Sequence, residues 1–167
     1  MQFSFLSNIG FVILIVLYSQ ENILIDNNGG AVLADFGLTR VQHDLSDLRS
    51  ITENAGTFVY QSPELHIGGD RKSTKSSDVW ALGMVIYQVF TGKQPYHGRF
   101  ALTEICHNPP RLPSRPDEDA IEIGFTHELW DYLEKYCWAQ PPRGRPSAKS
   151  CCSRLQALRS RYRAQAL

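Results

Sequence analysis

Two oxygen-bearing side chains near the start of the chain, Asn22 and Asp35, could together bind a metal ion. They flank two short apolar runs around Asn-Asn-Gly-Gly at 27–30, a pattern that predicts a β-hairpin. A four-residue loop would place Asp26 opposite Ala31 and Asn22 opposite Asp35, with Cβ atoms about 5 Å apart. An amide oxygen and a carboxylate are hard ligands of the kind that suit Mg²⁺. Both residues are also common at turns, so an ordinary turn role stays open.

A buried helix is predicted after a long polar stretch that lacks clear periodicity. We expect Ser77 to be its N-cap and Gly92 to lie just past its end. Apolar side chains cover nearly all its faces, which is typical of a helix at the centre of a domain. The sequence therefore predicts an α+β fold, mostly α, in which a short hairpin accompanies a bundle of helices.

Two further helices are predicted in the second half of the chain. One begins near the cap Thr126, and its inward stripe consists of Leu129, Leu133, Tyr136 and Cys137. The other begins near Ser147, and its inward residues are Cys151, Leu155 and Leu158. Four prolines mark the preceding stretch 108–118 as a surface loop.

Composition excludes several classes of protein. The 167 residues are 43% hydrophobic, which fits one globular domain with its own core. Basic and acidic residues balance at 17 each, so no net field favours nucleic acid or an anionic membrane. The four cysteines lack metal-ligand spacing, and we interpret them as reduced thiols of a cytoplasmic protein. Residues 1–20 are apolar and uncharged, but Ser and Asn interrupt them, so packing on the domain is favoured over a membrane anchor.

Several short motifs occur in a fixed order along the chain. They are an Asn before Ile-Leu-Ile, Asp-Phe-Gly at 35–37, Gly-Thr-x-x-Tyr-x-Ser-Pro-Glu at 56–64, Asp-Val-Trp-Ala-Leu-Gly at 78–83, Thr-Gly at 91–92 followed by Pro-Tyr at 95–96, and Arg-Pro at 145–146. In order and spacing the chain resembles the eukaryotic protein kinases from residue 21 to about 158. The resemblance implies the large lobe of that fold, with the small lobe missing.

The resemblance assigns ATP and magnesium roles near the hairpin. It implies that Asn22 and Asp35 hold the Mg²⁺ ions on the ATP phosphates, and that Phe36 and Gly37 complete the cofactor-binding triplet. Residues 35–64 would form the activation segment. Within it, Thr57 resembles the residue that positions substrate and base in Ser/Thr kinases.

Three charged residues resemble structural positions of the family. Glu64 and Arg145 resemble the ion pair that ties the end of the activation segment to the lower lobe. Asp78 resembles the carboxylate that accepts backbone N–H bonds from the catalytic loop. The Cys-Trp pair at 137–138 resembles the tyrosine-kinase-like branch. Read without the family, each charge could be a solvated surface group.

The catalytic loop departs from the family pattern His-x-Asp-Leu-Lys-x-x-Asn. Counting back from Asn22 places Ser19 at the lysine and Leu17 at the catalytic aspartate, and neither side chain can do that chemistry. We therefore expect two parts, an apolar segment 1–20 unlike the family and a kinase large lobe at 21–167. Either the chain is a truncated pseudokinase, or its first 20 or so residues are not the kinase's own sequence. The second history is favoured.

Three functions are consistent with these residues. The first is an ATP-dependent Ser/Thr protein kinase recorded as a fragment that is inactive by itself, acting on protein substrates. The second is a non-catalytic, pseudokinase-like module that docks proteins, and the third is the same module tethered to a membrane. The sequence does not name the substrate, pathway, regulator, oligomeric state or phosphorylated residue of the activation segment.

Overall fold

The computed structural model describes residues 23–25, 27, 31–33, 58–67 and 73–165. The strands are β1 (Ile23–Ile25) and β2 (Ala31–Leu33). The helices are α1 (Lys75–Thr91), α2 (Ala101–Ile105), α3 (Glu118–Glu122), α4 (His127–Tyr132) and α5 (Ala148–Gln165). Single 3-10 turns occur at Phe58–Tyr60, Pro63–Leu65, Gly98–Phe100 and Pro142–Gly144. The described part is mostly helical, as predicted.

Helix α1 is the centre of the described core. Three consecutive residues, Ile86, Tyr87 and Gln88, are all buried although they point about 100° apart around the axis. Trp80 and Met84 are fully inaccessible to solvent. Burial of each large apolar side chain contributes about 1.5–3 kcal/mol, so this helix organises much of the fold's stability. The predicted burial on nearly all faces is confirmed.

The N-terminus of α1 differs from the prediction by three residues. Its N-cap is Thr74, whose hydroxyl accepts a hydrogen bond from the Ser77 backbone N–H at 3.2 Å. The Ser77 hydroxyl in turn accepts from the Thr74 N–H at 2.7 Å, which completes a capping box. Ser77 therefore caps from inside the helix. At the other end Gly92 adopts φ +66°, as the prediction requires.

The hairpin forms, but its predicted register is wrong by one residue. The structure pairs Ile23 with Leu33 and Ile25 with Ala31, so five residues form the connection instead of four. Five-residue loops are also common in hairpins, and the glycines at 29–30 allow either length. A shift of one residue moves side chains to the opposite face. The predicted four-residue loop was the geometric reason to expect Asn22 opposite Asp35, and that reason is therefore lost. Both residues lie outside the described residues.

Helix α4 begins at the predicted cap, since the Thr126 hydroxyl accepts a hydrogen bond from the Leu129 N–H at 3.2 Å. It continues as a π-helical turn, Leu133–Cys137, closed by a bond from the Trp138 N–H to the Leu133 carbonyl. The wider turn changes which side chains face inward. Cys137 is fully buried, whereas Tyr136 is 41% exposed, so its predicted place on the inward stripe is wrong.

Helix α5 and the loop before α3 follow the prediction. The Ser147 hydroxyl accepts from the Ser150 N–H at 3.2 Å at the start of α5, and Cys151, Leu155 and Leu158 are buried. No helix or strand occurs between 109 and 116.

An aromatic cluster fills the space between α1 and α4, with Phe90 stacked on Phe125 at 5.3 Å between ring centroids. Within the described residues, no helix is long and apolar enough to cross a membrane.

Candidate functional site

The structure describes only part of the predicted site. Glu64, Asp78 and Arg145 lie within the described residues. The predicted residues outside the described part are Leu17, Ser19, Asn22, Asp35, Phe36, Gly37 and Thr57. The geometry that follows therefore concerns the C-terminal end of the predicted activation segment and the helices that support it.

Glu64 and Arg145 meet across 81 residues of sequence. Glu64 lies in the turn Pro63–Leu65, and Arg145 follows the turn Pro142–Gly144. The Arg145 Nη1 atom donates to Glu64 Oε1 at 2.6 Å, and Nη2 donates to Oε2 at 3.0 Å. This is a two-pronged guanidinium–carboxylate pair, the geometry in which arginine binds a carboxylate most strongly. The contact expected from the sequence is present.

Two further N–H donors of Arg145 bond to backbone carbonyls. Nη1 donates to the Ser76 carbonyl at 3.0 Å, and Nε donates to the Ala139 carbonyl at 3.0 Å. The guanidinium carbon lies 5.0 Å from the centroid of the Trp80 ring, within cation–π range. One side chain therefore connects the segment end, the first turn of α1 and the loop after the π-helical turn. Its side chain is 0% exposed, against 27% for Glu64.

Electrostatics keep the Glu64 carboxylate ionised. Burial alone would raise its pKa, but the hydrogen bonds and positive charge of Arg145 outweigh that effect. The net result is a pKa below the usual value of 4.5. At neutral pH both partners are therefore charged, and the half-buried Glu64 carboxylate neutralises the fully buried Arg145 guanidinium.

Asp78 lies in the first turn of α1 and is in a different electrostatic state. Burial raises the pKa of its carboxyl group from 3.8 to about 6. Among the described residues no donor contacts this carboxylate. A partly buried carboxylate is stabilised when N–H groups bond to it, so the position suits an acceptor of such bonds.

Sequence reasoning missed a second tie between the segment and α1. The Tyr60 hydroxyl donates to the Gln88 side-chain oxygen, and both residues are buried. A signal for it existed, because Gln88 is a polar residue on a helix that is buried all round, and a buried amide needs a partner. The turn Phe58–Tyr60 also packs against α1 and α2.

The Tyr60–Gln88 and Glu64–Arg145 contacts hold the backbone at the C-terminal end of the predicted activation segment, and they supply no reactive group. The segment end is held at Tyr60 by a hydroxyl–amide bond and at Glu64 by an ion pair. Within the described residues, no group of three or more His, Cys, Asp or Glu side chains could bind a metal ion. The arrangement suits a surface that presents polypeptide to chemistry supplied by other residues.

Comparisons with known proteins match most of the chain to one family. The family model for the protein kinase domain matches residues 19–155. The serine/threonine-protein kinase RUNKEL of Arabidopsis thaliana is 43% identical over 123 residues, which are 71% of this chain and 9% of that protein. Human receptor-interacting serine/threonine-protein kinase 3 is 30% identical over 136 residues, which are 78% of this chain and 26% of that protein.

A third relative carries the kinase domain in another context. Ankyrin repeat and protein kinase domain-containing protein 1 of Mus musculus is 32% identical over 131 residues, 75% of this chain and 17% of that protein. The chain thus spans no more than about a quarter of these relatives. Since the family match covers most of the chain and includes the Glu64–Arg145 pair, the chain belongs to the protein kinase domain family.

Proposed function

We propose that the chain provides the large lobe of an ATP-dependent Ser/Thr protein kinase and transfers no phosphate by itself. One observation supports this most strongly: the two-pronged pair between Glu64 and the buried Arg145, which connects the end of the predicted activation segment through Arg145 to the Ser76 carbonyl of α1. Two of the three relatives above are named as serine/threonine-protein kinases, and the third as a protein that contains a protein kinase domain.

In this proposal Asn22 and Asp35 hold magnesium. Their amide and carboxylate oxygens are the hard donors that Mg²⁺ prefers, and magnesium leaves room in its shell for phosphate oxygens. ATP would supply the phosphoryl group, and Mg²⁺ would neutralise the charge that develops on it. Phe36 and Gly37 follow Asp35 in the motif and are assigned to the same cofactor-binding site.

Two further residues would position polypeptide. Thr57 directly precedes the described turn at Phe58 in the sequence. We assign it the positioning of a substrate hydroxyl. Asp78 would accept N–H bonds from the catalytic loop, which would offset the burial that raises its pKa.

The proton acceptor must come from outside the 167 residues in this account. Leu17 and Ser19 occupy the positions of the aspartate and lysine, and an alkyl chain and a short hydroxyl cannot orient an attacking hydroxyl or steady the phosphate. Residues 1–20 would then be a segment separate from the large lobe at 21–167.

The proposed substrates are proteins, and the proposed location is the cytoplasm. All four cysteines are free thiols. Thiols persist where the cell keeps them reduced. A protein substrate also fits a site whose described contacts hold two successive turns of backbone, Phe58–Tyr60 and Pro63–Leu65, in place.

The experiment measures transfer of radiolabelled γ-phosphate from ATP to generic Ser/Thr protein substrates by the purified 167-residue chain with Mg²⁺. We expect no transfer above that of an Asp35→Ala control. Transfer by the wild type that disappears in Asp35→Ala would contradict the proposal, because it would show that the chain contains its own catalytic base.

A further inference from the structure

Helices α3 and α5 carry opposite charges and meet near their C-terminal ends. The charged residues of α3 are all acidic, and those of α5 are all basic. The Tyr162 hydroxyl of α5 donates a hydrogen bond at 2.8 Å to the carbonyl of Glu122, the last residue of α3. An acidic and a basic surface therefore lie side by side on one part of the molecule. Neither helix belongs to the proposed kinase site.

An exposed apolar side chain lies where the two helices meet. Ile123 is the C-cap of α3 and is 41% exposed, although isoleucine is among the residues most often buried. Asp119 and Glu122 lie four and one residues before it and are exposed as well. On α5 the exposed Arg163 follows Tyr162 directly. The patch thus consists of an apolar centre with an acidic limb on α3 and a basic limb on α5.

The charges of this patch are not used up within one copy of the chain. Among the described residues, neither Glu122 nor Arg163 forms a salt bridge. Two other arginines of α5 share a single oxygen of Glu128, so that carboxylate is already occupied. Both limbs can therefore accept an opposite charge from another molecule. A partner of one sign would serve only one limb, whereas a second copy of the chain supplies both signs.

We propose that two copies of the chain associate about a two-fold axis near Ile123. Glu122 of one copy meets the partner's Arg163, and the same contact forms again on the other side of the axis. Ile123 packs against Ile123 of the partner subunit at the centre, and the charges form the rim. Such a patch is self-complementary, as two-fold symmetry requires. The 17 basic and 17 acidic residues of the chain cancel, so no net charge keeps the copies apart.

The test is sedimentation equilibrium of the purified 167-residue chain, with a reductant present, at two salt concentrations. We expect a reversible monomer–dimer equilibrium in about 0.1 M salt. It should be weaker in about 1 M salt, where the Debye length falls from about 10 Å to about 3 Å. A chain that stays monomeric at every concentration up to its solubility limit would overturn the proposal. A dimer with the same dissociation constant in both salts would overturn it too.

Charge reversal identifies the surface. Glu122→Arg and Arg163→Glu should each raise the dissociation constant by at least about tenfold, because like charges would then face each other twice in the symmetric dimer. Lys149→Glu is the matched control for Arg163→Glu, because it makes the same change at another exposed basic residue of α5. That control should dimerise like the wild type, and a loss of its dimer equal to that of Arg163→Glu would count against the patch.

Mixing the two reversed variants should restore association. In a dimer of Glu122→Arg with Arg163→Glu, the two reversals compensate at one contact and the native pair forms at the other. A mixture that stays monomeric would contradict the two-fold arrangement, as would reversed variants that dimerise like the wild type. Circular dichroism checks that each variant is folded. If one variant fails to fold, the salt dependence of the wild type and the other variant still decide.

Discussion

Removing either partner of the Glu64–Arg145 pair should destabilise the chain strongly. In Glu64→Ala the Arg145 guanidinium, which is 0% exposed in the wild type, loses two hydrogen bonds and keeps those to Ser76 and Ala139. In Arg145→Ala the Glu64 carboxylate, which is 27% exposed, can bind water instead. The Ser76 and Ala139 carbonyls and the Trp80 ring lose their contacts with the guanidinium. Either loss should lower the free energy of unfolding by about 3–5 kcal/mol, the usual effect of breaking a buried ion pair.

The double variant identifies the cause. If the destabilisation comes from the unpaired charge that each single variant leaves, the double variant Glu64→Ala/Arg145→Ala should lose less unfolding free energy than the two single variants together. The difference should be about 0.5–3 kcal/mol. Arg145→Lys keeps the charge but cannot make the two-pronged contact, so it should recover only part of the loss.

The assay is urea unfolding at neutral pH, followed by tryptophan fluorescence and circular dichroism. The Glu64 pKa lies below 4.5, so the pair's contribution is fully present at neutral pH and is lost only as the pH falls through that lowered pKa. Lys93→Ala is the matched control, because it breaks the Lys93–Asp117 pair, whose side chains are 57% and 48% exposed. That variant should unfold like the wild type. If Glu64→Ala and Arg145→Ala also unfold at the urea midpoint of the wild type, the reasoning is refuted.

Three further changes test other parts of the structure. Gly83→Ala places a methyl group 2.5 Å from the buried Trp138 Nε1 atom and should lower the free energy of unfolding, measured in urea, by about 1–3 kcal/mol. Gly144→Ala, whose methyl group would lie 3.7 Å from its nearest neighbour, should be tolerated. Equal urea midpoints for the two variants would contradict the packing around Gly83. Thr74→Ala removes the capping box and should cost about 1 kcal/mol, which a wild-type urea midpoint would exclude. Because the pKa of Asp78 is raised in the folded state, the folded chain binds a proton at pH values where the unfolded chain has lost it. The free energy of unfolding should therefore fall as the pH rises from 3.8 to about 6. Urea midpoints of Asp78→Asn should lack this decline.

Helix ends were predictable where one residue type decides the backbone. Gly92 has the positive φ that other residues adopt only with strain, and Thr126 has a hydroxyl at the required distance from the Leu129 N–H. The start of α1 was missed because Thr74 and Ser77 can each cap a helix. In the structure they bond to each other's N–H groups, a choice that residue type alone does not settle.

Other errors came from backbone features that spacing does not encode. The π-helical turn displaces Tyr136 from the inward stripe, because that stripe assumed 3.6 residues per turn. The hairpin register depended on whether the loop has four or five residues, and the sequence around the two glycines allows both.

The described part of the site could be predicted only through the family resemblance. No periodic pattern connects Glu64 with Arg145, which are 81 positions apart, and their charges alone would also fit a solvated surface. The contacts of Arg145 with the Ser76 carbonyl and the Trp80 ring depend on how α1 packs, and the Tyr60–Gln88 bond depends on a tertiary contact across 28 positions. Local spacing carries no information about such contacts.

The most direct test of the kinase assignment supplies what the 167 residues lack. Residues 21–167 would be joined to the small lobe and catalytic loop of an active Ser/Thr kinase that carries His-x-Asp-Leu-Lys, placed in register with Asn22, and γ-phosphate transfer to Ser/Thr substrates would be measured. We predict transfer that Asp35→Asn abolishes and that Glu118→Gln, at an exposed carboxylate on α3, leaves unchanged. A chimera that unfolds cooperatively but transfers no phosphate would contradict the claim that this chain is the large lobe of a kinase.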